Sequence, residues 1–522
     1  MNKASENKSI AKSVSIVSGA TMLSRILGLV REQVFAFFFG ASLVNDAFVA
    51  AFRIPNLLRD MFAEGALSSA FVPVFTDYMK KKSLQDAFRM ANMAINALLL
   101  ILSLITIIGI VFAPNIVSLI APGFAETPGK TQLTITLTQI MFPFLILVSI
   151  SALVMGTLNS LHHFTISALA PTTFNICMIG AGFLICPFLK EPIIGMAIGA
   201  LLGGLAQLLI QVPSLIKAGF RYTFRISFRD EGVRRIIKVM APASIGLAAM
   251  QINIFINTLL ASFLHDGSVS WLNYSFRLMY LPLGVFGVAI GTVSLPTVAA
   301  CVSRGDIAGI KNILSICFRL LFLLTIPSTV GLIVLSEPII GLIYERGAFH
   351  QQDTIATAHA LICYAIGLFP YAALKTLVPT FYSLKDTRTP VKISIICVGI
   401  NIILNLILIR FMGHMGLALA TSISAMINMG SLLFLLKKRI KTMDNALVLF
   451  SFQGILRSSY WRILIASGVM GMVCWYINIR LDGYAARTVW GVLAGSIIFI
   501  GMCKLLKVRE IESLLNLRRL KR

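Results

Sequence analysis

Acidic residues are scarce in this 522-residue chain, which has 21 Asp and Glu against 45 Lys and Arg, and only 13% of it is charged. A soluble domain carries about 25% charged residues; with 57% hydrophobic residues, this composition excludes one and marks an integral membrane protein. The six histidines show no metal spacing: His162 and His163 sit together in a short loop and the rest are scattered. The eight cysteines, at 177, 186, 301, 317, 363, 397, 474 and 503, fall in apolar stretches without a CxxC pair, so neither a zinc site nor a disulfide framework is expected and packing is their role. No Gly-rich phosphate loop ending in Lys and Ser/Thr occurs, so ATP hydrolysis, an enzyme activity, a cofactor and a bound metal are all unexpected. No small-residue cleavage site follows the N-terminal lysines, and Arg25 and Arg31 interrupt the apolar run there. A retained first helix fits better than a signal peptide.

Long apolar runs dominate what is present. About 20 such residues span a bilayer, and about fourteen segments qualify: 14–39, 43–63, 86–120, 133–160, 166–189, 193–216, 234–264, 268–302, 309–336, 355–384, 390–411, 415–437, 459–479 and 485–507. The net charge of +24 does not indicate nucleic acid, because the basic residues occupy alternate loops: Lys80 to Lys82, Arg221 to Lys238, Arg304 and Lys311, Lys385 to Lys392, and Lys437 to Lys441. The positive-inside rule then places these loops and both termini in the cytoplasm.

A weak internal repeat organises the segments. Phe52-Arg53 recurs as Phe276-Arg277, Pro73 as Pro296, Ser160-Leu161 as Ser383-Leu384, and Phe142-Pro143-Phe144 as Phe369-Pro370-Tyr371, all at nearly one offset. The expected architecture is all-α: two six-helix lobes, 1–220 and 230–440, related by a pseudo-two-fold axis along the membrane normal. Two additional helices, 455–510, and a basic cytoplasmic tail, 511–522, lie outside the repeat.

Arg25, Arg53 and Arg277 fall inside stretches otherwise apolar enough to span. A guanidinium at mid-membrane costs about 2.5–3.5 kcal/mol on insertion scales, so three of them imply a wet interior that binds an anion. Asp46, Arg53 and Asp60 recur every seven residues and share a helix face with Asn56 nearby. On the preceding helix Ser24 pairs with Arg31, and Arg25 with Glu32, on common faces. The result is a positive but internally compensated cavity. Arg31 and Arg59, near helix ends, are equally well read as snorkelling to headgroups. Arginine binds phosphate bidentately and stays charged, so a phosphate or diphosphate ligand suits the set better than a cation does. Energy would come from an ion gradient or the membrane potential. Gln251, Asn253, Asn257, Asn401 and Asn405 either coordinate a coupling cation or hydrogen-bond neighbouring helices. Gly195, Gly199 and Gly203 permit close helix approach, and prolines such as Pro55, Pro143, Pro282, Pro327 and Pro370 bend spans.

Several motifs in order resemble the MurJ (MviN) family of lipid II flippases, within the multidrug/oligosaccharidyl-lipid/polysaccharide exporter superfamily. They are Ser24-Arg25-x2-Gly28-x2-Arg31, Asp46-Ala47-Phe48, Pro55-Asn56-Leu57-Leu58-Arg59, Phe62-Ala63-Glu64-Gly65-Ala66, Ala70-Phe71-Val72-Pro73, Gly267-Ser268-Val269-Ser270-Trp271 followed by Arg277, Glu345-Arg346-Gly347 with Phe349, and Asp386-Thr387-Arg388-Thr389-Pro390. The resemblance implies movement of an undecaprenyl-diphosphate-linked peptidoglycan precursor from the inner to the outer leaflet of a bacterial cytoplasmic membrane. It also implies a cavity lined by Arg25, Arg31, Arg59, Arg277 and Asp46 with Ser24 and Ser270, and a lipid-tail groove on the last two helices. Arg25, Arg53 and Arg277 are expected to hold the diphosphate, Arg31 and Arg59 to lie nearer the cytoplasmic or gating end, and Asp46, Glu32 and Glu64 to pair with arginines or gate. The lobes would rock in alternating access, with lipid II, membrane lipids and cell-wall synthases as partners. Two departures stand out. Tyr280 replaces an acid found in some members, and the seventh and eleventh helices lack the sodium-binding aspartates of others, so sodium coupling by that route is not supported. The alternatives are a flippase for another polyprenyl-diphosphate-linked glycan and a non-transporting scaffold of the cell-wall machinery.

Overall fold

The computed structural model describes residues 3–59, 66–227, 229–443, 459–508 and 510–511. Among them every regular element is a helix, and the chain divides into two compact units, Met1–Val269 and Ser270–Arg522.

The first unit contains α1 (Lys3–Phe39), α2 (Leu43–Arg59), α3 (Ala66–Lys81), α4 (Leu84–Val111), α5 (Ala113–Ile120), a 3-10 turn (Pro122–Glu126), α6 (Lys130–Met141), α7 (Phe144–Ser160), α8 (Phe164–Leu184), α9 (Pro192–Leu209), α10 (Val212–Lys217) and α11 (Glu231–Ser262). Pro143 cannot donate to the helical ladder, and the run expected as 133–160 breaks there into α6 and α7. The glycine stripe on α9 acts as expected. A Cβ at Gly195, Gly199 or Gly203 would lie 2.8, 2.5 or 2.7 Å from Cys186, Ala181 or Phe174, which is closer than real contacts allow. The bare backbone of α9 therefore packs directly against α8 and the turn that follows it. Phe35, Phe48, Met141, Phe144 and Met196 form one core of this unit, and Phe71, Phe75, Phe88 and Leu102 contribute to another.

The second unit runs from within α12 (Ser268–Pro282) through a π-turn (Leu283–Gly287) to α13 (Val288–Ser303), α14 (Ile307–Val334), α15 (Ser336–Tyr344), α16 (Gln351–Ala365), α17 (Leu368–Ser383), α18 (Arg388–Met412), α19 (His414–Met443), α20 (Tyr460–Arg480) and α21 (Tyr484–Leu505). The two last helices pack on α14 and α15: Gly471 abuts Val330, and Gly341 abuts the ring of Tyr484. The Glu345-Arg346-Gly347 motif is the turn between α15 and α16. Gly347 adopts φ +60°, a left-handed value suited to glycine, Glu345 accepts from the Thr354 hydroxyl at 2.5 Å, and Phe349 buries against Tyr274 and Tyr344.

Ten helices of the described residues are long and apolar enough to span, or eleven if the bent pair α16–α17 is one span, against the fourteen expected. The segments short of that measure are 14–39, 43–63 and 234–264. The first carries Arg25, Arg31 and Glu32 along its length, the second has only 17 described residues, and the side chains of 241–250 in the third lie outside the described set. α3 is a further helix between the segments 43–63 and 86–120, and Lys80 and Lys81 form its last turn. By packing, the chain divides after Val269, which leaves α11 in the first unit. α11 packs on α3, and its Ser262 backbone lies where a Cβ of Gly123 would be, 2.4 Å away.

The Asp386 motif explains itself as a helix start. Its carboxylate accepts from the Thr389 amide at 3.0 Å and the Thr389 hydroxyl at 2.8 Å, and pairs with Arg439. The Thr389 amide is the main cause holding this carboxyl below the usual carboxylate range, with the Thr389 hydroxyl and Arg439 adding to it against partial burial. A depressed folded pKa contributes stability above the unfolded value and loses it as pH falls through the folded one. Asp386→Asn should therefore lower the thermal midpoint of the detergent-solubilised protein at neutral pH, with the difference from wild type shrinking below about pH 4. A difference that does not change with pH would contradict this account.

Candidate functional site

The polar residues of α1 meet α8 through one asparagine. The buried Asn175 donates to the Ser24 carbonyl at 3.1 Å, and its Oδ1 accepts from Arg31 Nη1 at 3.1 Å. Gly28, one turn from each, lies beside this amide, and a Cβ there would meet Asn175 Nδ2 at 3.9 Å, an ordinary contact. Arg31 also binds the buried Glu32 through Nη2 at 2.7 Å and lies over the Phe174 ring at 5.6 Å. Its charge is thus met by a carboxylate and by the face of an aromatic ring. Arg25 is exposed and makes no ion pair among the described residues. Two arginines six residues apart on one helix therefore have different electrostatic circumstances.

α2 opens on a buried charge cluster. Asp46 is 1% exposed, and its Oδ2 accepts from Lys130 Nζ at 3.1 Å and from the Gly267 amide at 2.8 Å. Lys130, 2% exposed, also binds Asp266 Oδ1 at 2.6 Å and sits 4.1 Å from the centroid of the Phe124 ring. A carboxylate in the first turn of α2 faces the positive end of that helix, whereas an ammonium at the first position of α6 faces an unfavourable dipole. The two carboxylates and the ring offset that penalty. Beside the cluster, Asn45 Nδ2 donates to the Gly40 carbonyl at 2.8 Å, closing the α1–α2 turn. The cluster thus ties the start of α2, the start of α6 and the turn after α11 together within the first unit.

Further along α2, Arg53, Asn56 and Arg59 are half-buried. In the second unit Ser270 is fully buried on α12, while Arg277 and Tyr280 are exposed. Trp271, next to Ser270, donates through Nε1 to Asp353 at 3.0 Å and packs against His414.

The structure joins Ser24, Arg31 and Glu32 in one cluster and puts Asp46 in another. Asp60 and Glu64 lie outside the described residues. The cation on Asp46 is Lys130, which sequence reasoning did not single out; Asp266 and Asn175 were missed too. A signal existed for Lys130, since it is a base in a loop that the positive-inside rule assigns to the base-poor side. Nothing in the sequence brings it to Asp46, 84 positions away. Counting back from the α1–α2 turn, Arg31 lies about 13 Å and Arg25 about 22 Å along α1.

Comparison with known proteins agrees over nearly the whole length. The profile of the family described as lipid II flippase MurJ matches residues 35–492. A Vibrio cholerae protein named probable lipid II flippase MurJ is 37% identical over 507 residues, covering 95% of this chain and 94% of its own. A Burkholderia cenocepacia protein named lipid II flippase MurJ is 36% identical over 428 residues, 81% of this chain and 83% of its own. The solved structure of a lipid II flippase MurJ in an inward closed conformation aligns with TM-score 0.79 at 31% identity, covering 94% of this chain and 98% of that one. An inward-facing multidrug transporter of the MATE family shares the fold, with TM-score 0.69 at 14% identity over 83% of this chain and 99% of that one.

Removing Lys130 strands a buried carboxylate, a change that typically costs about 3–5 kcal/mol. Lys130→Ala should unfold at markedly lower temperature than wild type, and Lys130→Met combined with Asp46→Asn should recover much of the loss. An unchanged melting profile for Lys130→Ala would show that the contact contributes nothing.

Proposed function

The chain belongs to the MurJ family of lipid II flippases, and on that premise we propose that it moves lipid II, the undecaprenyl-diphosphate-linked peptidoglycan precursor, from the inner to the outer leaflet of a bacterial cytoplasmic membrane. The observation that carries this reading is the extent of the match: 37% identity over 95% of the chain to a relative of nearly equal span. The protein is a multi-pass transporter and not an enzyme. The topology we favour has fourteen spans and cytoplasmic termini, supported by the alternation of basic loops.

In the mechanism proposed here, arginines receive the diphosphate. Arg25 is the foremost candidate in the first unit, because it is exposed and has no acidic partner to displace among the described residues; Arg53 and Arg59 on α2 and Arg277 on α12 complete the set, with Ser24 and Ser270 as hydrogen-bonding neighbours. Two N–H groups of a guanidinium match two phosphate oxygens, and repeated contacts let the anion pass without water's full hydration shell. Arg31 takes a different part. Its ion pair with Glu32 at 2.7 Å must loosen before it can bind phosphate, so Glu32 competes with the cargo and limits how tightly it is held. A carrier that bound both ends of its cycle equally tightly would not release. Glu64 and Asp46 are assigned to gating, α20 and α21 to the lipid tail, and an ion gradient or the membrane potential to the driving force. Handover to cell-wall synthases follows on the outer face.

Cells depleted of the protein and re-supplied with variants test the assignment by the accessibility of lipid II at the outer leaflet. Arg25→Ala combined with Arg277→Ala should lower export at least about tenfold, the scale of losing one or two charged contacts of about 1.5–3 kcal/mol, while the melting temperature changes little because both side chains are exposed. Arg25→Lys, which keeps charge and loses the fork, should fall between. Full export by the well-expressed double variant would remove the arginines from the transport path.

A further inference from the structure

The segment 219–227, between α10 and α11, is not helical, yet its backbone is held by side chains. Asn92 Nδ2 donates to the Arg221 carbonyl at 2.9 Å, and Asn92 Oδ1 accepts from the Thr223 amide at 3.0 Å. Asn96 Nδ2 donates to the carbonyls of Thr223 and Arg225 at 3.0 and 3.1 Å. The two asparagines are four residues apart on α4, about 6 Å along the helix, which is close to the repeat of two residues of extended chain. That match lets one helix face bind alternate peptide groups of a strand-like segment. Phe220 anchors its start against Phe88, with ring centroids 5.6 Å apart.

The side chains left outside are of two kinds. Arg221 and Arg225 are exposed on the strip, with Arg229 and Arg234 following, and none of the four makes an ion pair among the described residues. Nearby acids are already engaged: Asp77 with Arg235 and Lys81, Asp86 with Ser83 and Arg89, and Asp230 with the amides that begin α11. Between the arginines, Tyr222 is 58% and Phe224 71% exposed. The Tyr222 hydroxyl donates to Asn96 Oδ1 at 2.6 Å, which leaves its ring outermost.

We propose that this strip binds the headgroups of anionic phospholipids at the membrane surface. Its depth follows from α4, which is long and apolar enough to span; Asn92 and Asn96 lie about 12–18 Å from its first residue, at the boundary between headgroups and hydrocarbon. Irregular backbone persists at that depth only where protein satisfies its polar groups, and the asparagines do so. A loop kept basic merely for topology would lie in water and need no such bonds. Exposed arginines without an ion pair among the described residues, interleaved with exposed aromatic rings, suit an anionic interface, where rings settle among headgroups and each base gains from the surface potential. The inference is independent of the identity of the transported cargo.

Full-length protein in phosphatidylcholine bilayers containing a trace of spin-labelled phosphatidylglycerol or spin-labelled phosphatidylcholine tests the proposal, through the fraction of each label immobilised by protein. Wild type should prefer phosphatidylglycerol, and Arg221→Gln with Arg225→Gln should reduce that preference on the order of tenfold. Asn92→Ala with Asn96→Ala, which keeps the charges and frees the backbone, should reduce it as well. Arg304→Gln with Lys392→Gln, two exposed bases elsewhere, should leave it unchanged. No preference in wild type, its survival in either strip variant, or an equal loss in the distant control would overturn the proposal.

Discussion

An ion carried into hydrocarbon must be met by an opposite charge, by dense hydrogen bonding or by water, because insertion otherwise costs several kcal/mol per group. That constraint accounts for most of the polar architecture here. Lys130 is held between Asp46 and Asp266, with a phenyl ring beneath it. Arg31 is held by Glu32 and Asn175. Buried ion pairs of this kind add little net stability compared with apolar packing. Their value lies in fixing which segments meet. The Lys130 cluster joins three segments far apart in sequence and uses the backbone amide of Gly267 as an additional donor, so the turn ahead of α12 takes its place from the same charges that seat α2 and α6.

The same constraint separates a paired charge from one left open to its surroundings. A fully neutralised arginine costs little to bury and has little to offer an anion. An exposed arginine in a span is costly unless its surroundings are wet, and it keeps its full affinity for phosphate. Arg31, held by Glu32 and Asn175, is of the first kind until that pair loosens, and Arg25, exposed and without an ion pair among the described residues, is proposed for the second, although composition, helix and spacing treat them alike. The proposed mechanism uses both, because cargo that met only unopposed arginines would be bound too tightly to leave.

The fold class was legible from apolar runs, and the glycine stripe of α9 was legible from its four-residue spacing. The interruption at Pro143 was visible as a bend, though not that it would separate two helices. Lys130, Asn175 and Asp266 were not legible as site residues, for a common reason. Their roles depend on partners 84, 144 and 136 positions away, and a single sequence carries no record of such contacts. Packing adds what a repeat cannot report: α11 joins the first unit through close contacts at Gly123 and at Gly232, which abuts Tyr78 and Met90. The basic segment 221–238 was legible as charge. That Asn92 and Asn96 would hold part of it against a span was not.

Purified protein in liposomes gives the most direct test of the central claim, that this chain by itself carries a lipid-linked diphosphate across a bilayer. Fluorescent lipid II would be confined to one leaflet and its arrival in the other followed under an imposed membrane potential or ion gradient. The account predicts protein-dependent transfer that an Arg25→Ala variant of equal stability does not support. Transfer no faster than in protein-free liposomes, under every imposed gradient and with protein shown to be folded, would contradict it.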